Sequence, residues 1–313
     1  MRVVALTGGV GGARLAFGLQ AELGSDLTVV VNTADDLERH GLLVCPDLDT
    51  VMYTLAGLDD RRQGWGLAGD TFMVTQMLER YGEETWFRLG DRDLATHVVR
   101  TARLKAGRSL TDVTLELPRD LGVAATILPM TDDLVRTEVR TDGGWLEFQE
   151  YFVHRRQEPA VHEVRFGGVE RAEATARVRG ELGFAEAIVI GPSNPFVSVG
   201  PILALRGMPE LLAAARRGGT PVVAVTPIVG GKALKGPADR MLASLGHESS
   251  ALGVARIYAG LATGFVLDAL DSGLAPAIEE LGLRALVTDT IMTDDVARIR
   301  LARDVLAFAR EQR

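Results

Sequence analysis

A glycine-rich segment near the N-terminus has the composition of a phosphate-binding loop. It spans Thr7–Arg14 and lies between a predicted strand and a predicted helix. Glycines at such a junction let backbone N–H groups approach a phosphate at the positive end of the helix dipole. The segment departs from the dinucleotide-binding fingerprint, because Arg14 stands where the third glycine is expected, and no P-loop lysine follows. We predict a phosphate site to which Arg14 adds a guanidinium, and the alternative is a tight turn without a ligand.

Acidic residues gather where the second predicted strand ends and the next helix begins. Asp35 and Asp36 follow Asn32 at the end of that strand, and Asp47 and Asp49 open the helix. Carboxylates near a phosphate repel each other unless a hard cation lies between them, and Mg²⁺ with oxygen ligands suits that role. The acidic cluster therefore predicts a Mg²⁺ site beside the phosphate loop. The alternatives are a solvated loop or a helix cap for Asp35 and Asp36 and a helix N-cap for Asp47.

Two further segments carry polar groups that suit a ligand. Arg88 follows the aromatic Phe87, and its guanidinium is suited to a planar or anionic ligand. The loop Pro192–Pro195 comes directly after a predicted strand, where its hydroxyl and amide groups can bind a nucleotide. An ordinary loop is the alternative there. The run Thr226–Gly231, which leads to two lysines, repeats this arrangement after the next strand.

The sequence lacks the residue patterns that several other kinds of catalytic site require. The five histidines show no metal-ligand spacing, so we expect no zinc site. The single cysteine, Cys45, excludes a disulfide framework and predicts a buried, inert thiol. The sequence contains neither a Gly-x-Ser-x-Gly elbow nor a Cys–His pair, so it gives no indication of covalent acyl chemistry.

The elements that must position these residues are short Val- and Ile-rich runs alternating with helical patterns. Such alternation predicts the α/β class, with a Rossmann-like, mostly parallel sheet and helices on both faces. The predicted strands are Val3–Leu6, Leu27–Val31, Ala187–Ile190, Val222–Val225, Phe265–Leu267 and Leu286–Val287. The predicted helices are Arg14–Leu23, Met208–Arg217, Ala238–Leu245, Ala251–Leu261 and Asp294–Arg310.

The middle of the chain has a different pattern. Residues 55–121 are mostly helical, and strand-like stretches follow at Ala125–Leu128, Val135–Thr141 and Trp145–Phe152, with a hairpin turn at Asp142–Gly144. We predict a smaller inserted α+β subdomain over residues 61–164. It would pack on a nucleotide-binding core formed by residues 1–60 and 165–313.

Composition limits the class of protein. The 313 residues include 34 Lys+Arg and 42 Asp+Glu, for a formal net charge of −8, and 47% are hydrophobic. This length and apolar content exclude a disordered chain and suit one large domain or a core with a subdomain. The acidic surplus disfavours non-specific nucleic-acid binding, and no apolar stretch is long enough for a membrane span or a signal peptide. We expect a soluble cytoplasmic protein that acts on small molecules, with no nucleic-acid or membrane partner.

Taken in order, eight stretches of the chain resemble the 2-phospho-L-lactate transferase family of deazaflavin coenzyme F-420 biosynthesis, which includes the phosphoenolpyruvate-type transferases. The resemblance covers nearly the whole chain. The stretches are GGVGGARLAFGL, VVVNTADD, PDLDTVMYTLAG, WFRLGDRDLATHVVRT, ILPMTDDLVRTEVRT, FQEYFV, IGPSNPFVSVGPIL and VTPIVGGKALKGPA.

The resemblance implies a Rossmann-like core with a smaller second domain, a homodimer and a Mg²⁺-dependent reaction. In that reaction the terminal ribityl hydroxyl of the deazaflavin FO attacks the phosphorus that bears the lactyl or enolpyruvyl group of a guanosine diphospho-ester. GMP leaves, and a phosphodiester forms without a covalent protein intermediate. Such a transfer needs positioning and charge neutralisation more than a reactive side chain, which agrees with the residues described above.

The family's functional residues carry over to particular positions. Asp49 and Arg88 match the FO-binding pair, and we expect them to form the catalytic set together with Asp36. Asp36 and Asp49 are the expected Mg²⁺ ligands, although the sequence does not separate metal ligands from contacts to the attacking hydroxyl. The expected nucleotide and phosphate contacts are Gly8, Gly9, Gly11, Gly12, Arg14, Asn32, Ser193 and Asn194. Arg14 is a departure, because many relatives have lysine there.

The donor is the least determined part of this prediction. Only three basic residues are lysines, and Ala and Gly are abundant, a bias typical of GC-rich actinobacterial genomes, in which family members use the enolpyruvyl donor. We therefore expect enolpyruvyl transfer ahead of lactyl transfer. The alternative function is a non-catalytic, nucleotide-sugar-binding regulatory protein of related fold. A nicotinamide-dependent dehydrogenase is disfavoured by the broken fingerprint.

Overall fold

The computed structural model describes all residues, Met1–Arg313. The strands are β1 Val3–Thr7, β2 Leu27–Val31, β3 Leu37–Arg39, β4 Leu42–Val44, β5 Thr126–Pro129, β6 Arg136–Thr141, β7 Gly144–Glu147, β8 Glu163–Gly167, β9 Ala187–Ile190, β10 Val222–Val225, β11 Ile228–Val229, β12 Lys232–Ala233, β13 Gly264–Asp268 and β14 Arg284–Thr288. The helices are α1 Gly9–Leu23, α2 Pro46–Leu55, α3 Met73–Arg80, α4 Asp91–Lys105, α5 Leu110–Asp120, α6 Ala176–Gly183, α7 Gly200–Ala204, α8 Met208–Arg217, α9 Ala238–Ser244, α10 Ala251–Tyr258, α11 Ala275–Glu279 and α12 Asp295–Arg310.

Seven strands form one parallel sheet in the order β14-β13-β10-β9-β1-β2-β5. Five of them, β1, β2, β9, β10 and β13, are buried along their whole length, as expected of strands covered on both faces. The six strands predicted from Val- and Ile-rich runs and the Rossmann-like α/β class are confirmed. The strand order reverses between β1 and β9, and open α/β sheets bind ligands at the carboxyl ends of the strands at such a point.

Apolar helix faces cover both sides of the sheet. Side chains of α1, α2 and α12 pack on one face, and those of α6, α8 and α10 pack on the other. Burial of this apolar surface is the main favourable term in folding, at roughly 25 cal/mol per Å². The predicted start of the last helix is confirmed, because the Asp294 carboxylate accepts a hydrogen bond of 2.9 Å from the Ala297 N–H. No helix combines the length and apolar composition needed to cross a membrane.

One part of the predicted insertion belongs to the central sheet. The stretch predicted at Ala125–Leu128 forms β5, which pairs in parallel with β2 at the sheet edge. The prediction that this stretch lies in the subdomain of residues 61–164 is therefore wrong, and the rest of that domain division stays a prediction. Helices α3, α4 and α5 precede β5, as the helical pattern of residues 55–121 predicts.

A separate three-stranded antiparallel sheet, in the order β7-β6-β8, follows β5. The hairpin predicted at Asp142–Gly144 is confirmed, with Gly144 at φ +102. The strand predicted at Trp145–Phe152 is wrong beyond Glu147, because the chain turns into a π-helical segment, Glu150–His154. Phe148, Tyr151 and Phe152 have helical spacing, and all three join one small apolar cluster.

A short hairpin brings the acidic residues together. β3 and β4 are joined by a two-residue turn at His40 and Gly41, both with positive φ, as type I′ turns require. Leu37 pairs with Val44, so the chain returns past Asp36 before α2 begins at Pro46. Asp47 is therefore in the first turn of α2, and the alternative that it caps this helix is wrong, because the N-cap residue is Cys45.

Candidate functional site

A cavity of about 710 Å³ opens at the carboxyl ends of the central strands, and we call it the edge cavity. The glycine loop after β1 and the loops after β9 and β10 form its sheet side. Residues of α2 and α4 and the segments around Trp86–Leu89 and Phe148–Val153 form the opposite side. The cavity lies beside the point between β1 and β9 at which the strand order reverses, and an open α/β sheet is expected to bind its ligand there.

The glycine loop approaches its neighbours too closely for any side chain. A Cβ on Gly8 would lie 2.3 Å from Asp47 Oδ2, and one on Gly11 would lie 2.3 Å from the Pro192 carbonyl oxygen. Gly9 begins α1 with φ +62, and no side chain caps this helix, although the Gly9 N–H donates to Asp47 Oδ1 at 2.8 Å. The first turn of α1 thus faces the cavity with its backbone, which suits an anion.

Gly12 and the loop after β9, which contains Ser193, pack against the rest of the glycine loop and hold it in place. A Cβ on Gly12 would lie 1.4 Å from Thr7 Oγ1 and 2.5 Å from Ser193 Oγ, and Gly12 is not on the cavity wall. Ser193 Oγ donates to the Gly8 carbonyl at 2.8 Å, which ties the loop after β9 to the glycine loop. Asn194 Oδ1 accepts from the Phe196 N–H at 2.9 Å and fixes its own turn. Ser193 and Asn194 both line the cavity.

Asn32 is a buried connector rather than part of the cavity wall. Its side chain is fully buried, and Nδ2 lies 3.0 Å from both Asp35 Oδ2 and Asp47 Oδ2. Its Oδ1 accepts from the Ala34 N–H at 2.9 Å. Both ends of the amide are therefore engaged within the protein, and a direct nucleotide contact by Asn32 stays a prediction.

Asp35 and Asp47 form a pair of carboxylates that line the cavity without a cationic partner. Burial, and then the charge of Asp47, raise the pKa of Asp35 well above its usual range. Asp35 Oδ1 makes no hydrogen bond, although the unpaired Thr137 hydroxyl lies beside it. Burial also raises the pKa of Asp47 to about 6, against the opposing hydrogen bonds from Asn32 and Gly9. Two such carboxylates with a spare oxygen suit a hard divalent cation.

Asp49 has a different environment, because it forms a buried ion pair with Arg100. Arg100 Nη1 donates to Asp49 Oδ2 at 3.0 Å, and Nη2 donates to Oδ1, so the pair is bidentate. The two side chains are 7% and 3% exposed, Asp49 lines the cavity, and Arg100 lies behind it. Sequence reasoning missed Arg100. The signal was the spacing of Asp93, His97 and Arg100, which places three polar side chains on one face of α4.

Asp36 lies behind the cavity wall and shares the charge of Arg100. Burial raises its pKa to about 8, while the Cys45 thiol and the nearby guanidinium of Arg100 lower it in part. The predicted metal ligands Asp36 and Asp49 thus already have a cation between them, whereas Asp35 and Asp47 do not. Cys45 is buried, as predicted.

Polar contacts continue from Arg100 across the α2–α4 interface. His97 Nδ1 lies 3.3 Å from Arg100 Nη1, which can only donate, so Nδ1 accepts this hydrogen bond. Nε2 lies 3.3 Å from Asp93 Oδ1 without a hydrogen bond, and the Tyr53 hydroxyl donates to the same Asp93 oxygen at 2.7 Å. Asp49, Asp93 and His97 could also hold a metal by distance, but the Arg100 guanidinium, which donates to both oxygens of Asp49, places a positive charge beside them that opposes a second cation.

Cations and aromatic rings form the remaining walls. The Arg88 guanidinium stacks over the Phe72 ring at 4.2 Å and faces the cavity. Arg14 also lines the cavity, and its Nη1 donates to the Met292 carbonyl at 3.4 Å. Four large rings, missed by sequence reasoning except for Phe87, provide apolar surface for a planar ligand: Trp86, Phe87, Phe148 and Phe152.

Comparison with known proteins identifies what the chain resembles. Residues 3–277 match the family model described as 2-phospho-L-lactate transferase CofD. A phosphoenolpyruvate transferase of Streptomyces griseus is 45% identical over 320 residues, covering 100% of each chain. A 2-phospho-L-lactate transferase of Methanosarcina mazei is 41% identical over 305 residues, covering 97% of this chain and 99% of that protein.

A solved structure supports the fold independently. A member of the UPF0052 family from Bacillus halodurans superposes with a TM-score of 0.63 over 97% of this chain and 98% of that one. At 14% identity, this likeness concerns the architecture alone.

Proposed function

Because the chain belongs to the CofD family of 2-phospho-L-lactate transferases, which serve coenzyme F-420 biosynthesis, we propose that it joins a phosphoenolpyruvyl group to the deazaflavin FO. The donor is a guanosine diphospho-ester, the acceptor is the terminal ribityl hydroxyl of FO, and GMP is released. The observation that carries this proposal is the convergence, in one cavity, of the glycine loop, a free carboxylate pair, Asp49 and Arg88.

The donor's diphosphate is assigned to the first turn of α1. Backbone N–H groups at this end of the helix carry partial positive charge, and Arg14 adds a full charge in the second turn. Gly8, Gly9 and Gly11 keep this surface free of side chains. Ser193 and Asn194, on the neighbouring loop, are assigned to the nucleoside side of the same ligand.

The acceptor is assigned to the opposite wall. Trp86, which stacks on His154, and the stacked pair Phe148 and Phe152 line this wall with apolar surface for the deazaflavin ring system, and Arg88 offers a cation beside them. Asp49 faces the cavity with both oxygens oriented by Arg100, so it is placed to accept a hydrogen bond from the attacking hydroxyl. This assignment places Asp49 with the acceptor rather than with the metal.

Mg²⁺ is assigned to Asp35 and Asp47. Asp35 is buried and Asp47 is half-buried, both face the cavity and both lack a positive partner, whereas Asp36 and Asp49 share Arg100. When bound, Mg²⁺ supplies positive charge that neutralises the phosphate oxygens. Asn32 holds both carboxylates through one amide nitrogen and so sets their spacing.

The reaction itself needs no covalent protein intermediate. The hydroxyl oxygen of FO forms a bond to the phosphorus that bears the enolpyruvyl group, the bond from that phosphorus to the GMP oxygen breaks, and the hydroxyl proton is released. The protein positions donor and acceptor in line and balances the charge that develops on the phosphoryl oxygens.

Relatives named for the enolpyruvyl reaction support that donor. Phosphoenolpyruvate transferases from three Streptomyces species are 43% to 45% identical to this chain and one from Mycobacterium ulcerans is 39% identical, whereas 2-phospho-L-lactate transferases from three Methanosarcina species are 39% to 41% identical. The resemblance also leads us to propose a homodimer.

Calorimetry with GDP, in the presence and absence of Mg²⁺, tests the nucleotide part of this proposal. GDP is expected to bind, and Mg²⁺ is expected to strengthen that binding. Binding of NADH without binding of GDP would contradict the proposal.

A further inference from the structure

Two cations at one end of the edge cavity have no carboxylate partner. Arg14, in the second turn of α1, makes one side-chain hydrogen bond, to the Met292 carbonyl at 3.4 Å. Lys235 follows β12 and makes no ion pair or side-chain hydrogen bond. Both side chains line the cavity; Lys235 is partly exposed to solvent, and desolvation, followed by the nearby charge of Arg14, lowers its pKa.

The acids near this end of the cavity are already engaged by other arginines. Arg61 Nη2 pairs with Asp295 Oδ2 at 3.0 Å, and Arg298 Nη1 pairs with Asp295 Oδ1 at 3.2 Å. Asp59 lies 3.9 Å from Arg61 and 4.0 Å from Arg298. Arg14 and Lys235 therefore keep an uncompensated positive charge, and two like charges held together are unfavourable without an anion between them.

Lys235 is placed by a glycine on a second loop. A Cβ on Gly64 would lie 2.2 Å from Lys235 Nζ, and Gly64 has φ +83. The Gly64 loop is itself a tight turn, with the Gly64 N–H donating to the Asp60 carbonyl at 2.7 Å and the Asp60 N–H donating to the Gly66 carbonyl at 3.0 Å. Gly64 also lines the cavity, so the ammonium sits where two segments meet at the cavity wall.

The residue type at position 235 fits this placement. Lys235 is one of only three lysines among 34 basic residues, in a chain that otherwise uses arginine. An ammonium is a compact charge on a flexible stem, whereas a guanidinium is a wide planar fork. The absence of a side chain at Gly64 leaves room for the compact group.

We propose that Arg14 and Lys235 form a second anion position in the edge cavity, which binds the phosphoryl group farther from the nucleoside. The first phosphate is held by the first turn of α1, and Arg14 continues that helix toward Lys235, so the two positions follow each other along the cavity. This inference rests on the proposed guanosine diphospho-ester donor, whose farther phosphorus is the reacting one. Lys235 thereby neutralises charge at the reacting phosphoryl group.

Calorimetry with GDP, GMP and inorganic pyrophosphate tests this proposal on wild-type protein and on Lys235→Met. Loss of one charge-assisted contact is expected to weaken GDP and pyrophosphate binding by about ten- to a hundred-fold and GMP binding by less than about three-fold. Lys232→Met, a lysine of the same segment that does not line the cavity, is the matched control and is expected to bind all three ligands like the wild type. Gly64→Ala is expected to weaken GDP binding without any change of charge, because it displaces the ammonium.

The outcomes separate this inference from the proposed function. If wild-type protein binds GDP and Lys235→Met binds it within two-fold, the anion position is refuted and the proposed function stands. Equal losses of GMP and GDP affinity would refute the assignment to the farther phosphoryl group. Binding of pyrophosphate but not GDP by the wild type, lost in Lys235→Met, would support the anion position and contradict the guanosine donor.

Discussion

Removal of Arg100 is expected to destabilise the protein strongly, because it leaves the Asp49 carboxylate buried without a cation. The Arg100 side chain is 3% exposed and donates to both oxygens of Asp49, which is itself 7% exposed, and its charge also acts on Asp36. Loss of one partner from a buried ion pair costs about 3–5 kcal/mol. An unfolding entropy of about 2.1 cal/mol/K per residue, over this chain length, converts that loss into a fall in Tm of about 5–8 °C.

A double-mutant cycle measures whether the ion pair is responsible. Arg100→Leu, Asp49→Leu and the double variant are compared by chemical denaturation and calorimetry. The double variant is expected to lose less free energy of unfolding than the sum of the single variants, because it leaves no unpaired charge at position 49. Arg103→Ala, one turn along α4, is the control: its pair with Glu116 at 3.1 Å is partly exposed, and its loss is expected to cost less than about 1 kcal/mol.

The reasoning about Asp49 would be refuted by either of two results. Arg100→Leu could unfold with a free energy within about 1 kcal/mol of the wild type, below the range for a broken buried pair. Alternatively, the single-variant losses could add fully, which would mean that Arg100 and Asp49 stabilise the fold independently. Either result would remove the basis for assigning Asp49 to the acceptor side of the cavity.

Three other variants or conditions test separate parts of the account. Mg²⁺ at a hundred times its Kd is expected to stabilise the wild type by about 2.7 kcal/mol in thermal unfolding. This stabilisation should vanish in Asp47→Asn and persist in Asp36→Asn. If it persisted in Asp47→Asn, the assignment of Mg²⁺ to Asp35 and Asp47 would be refuted. Without Mg²⁺, stability is expected to fall as pH rises from 5 to 8, because burial raises the pKa of Asp36 from 3.8 to about 8 and the folded state holds a proton that the unfolded state has lost. That slope is about 1.4 kcal/mol per pH unit for this carboxyl, and it should become shallower by that amount in Asp36→Asn, in which the raised pKa of Asp47 still contributes; a stability that rises over this range would contradict it. Gly12→Ala is expected to cost about 3 kcal/mol or more because its Cβ would meet Thr7 Oγ1, whereas Gly180→Ala, in open space on α6, should be neutral or stabilising; equal Tm values for the two would refute the packing argument.

Local patterns were sufficient to predict the sheet and part of the site. Runs such as Val3–Leu6 are apolar on both faces, as strands of a covered parallel sheet require, and glycines between strand and helix predict close backbone approach. The carboxyl ends of parallel strands share one edge, so residues after β1, β2 and β9 were expected to converge. Ser193, Asn194 and the glycine loop do lie together there.

The remaining features depend on contacts that local pattern does not encode. Arg100 reaches Asp49 from 51 residues away, and only the packing of α4 on α2 determines which aspartate it meets. Asp35 and Asp36 are adjacent in sequence, but their side chains have different neighbours: Asp35 meets Asp47, and Asp36 meets Cys45 and Arg100. Lys235 and Gly64 come from loops 171 residues apart, so their contact is visible only in the folded chain.

The most direct test is incubation of the protein with FO, Mg²⁺ and each guanosine diphospho-ester donor in turn, followed by measurement of product mass. The account predicts a phosphodiester of FO and release of GMP, with the enolpyruvyl donor preferred and its product lighter than the lactyl product by two hydrogens. Preferred use of the lactyl donor would correct the donor and leave the site intact. Absence of product from both donors, with a folded protein, would contradict the central claim and favour a nucleotide-binding protein without transferase activity.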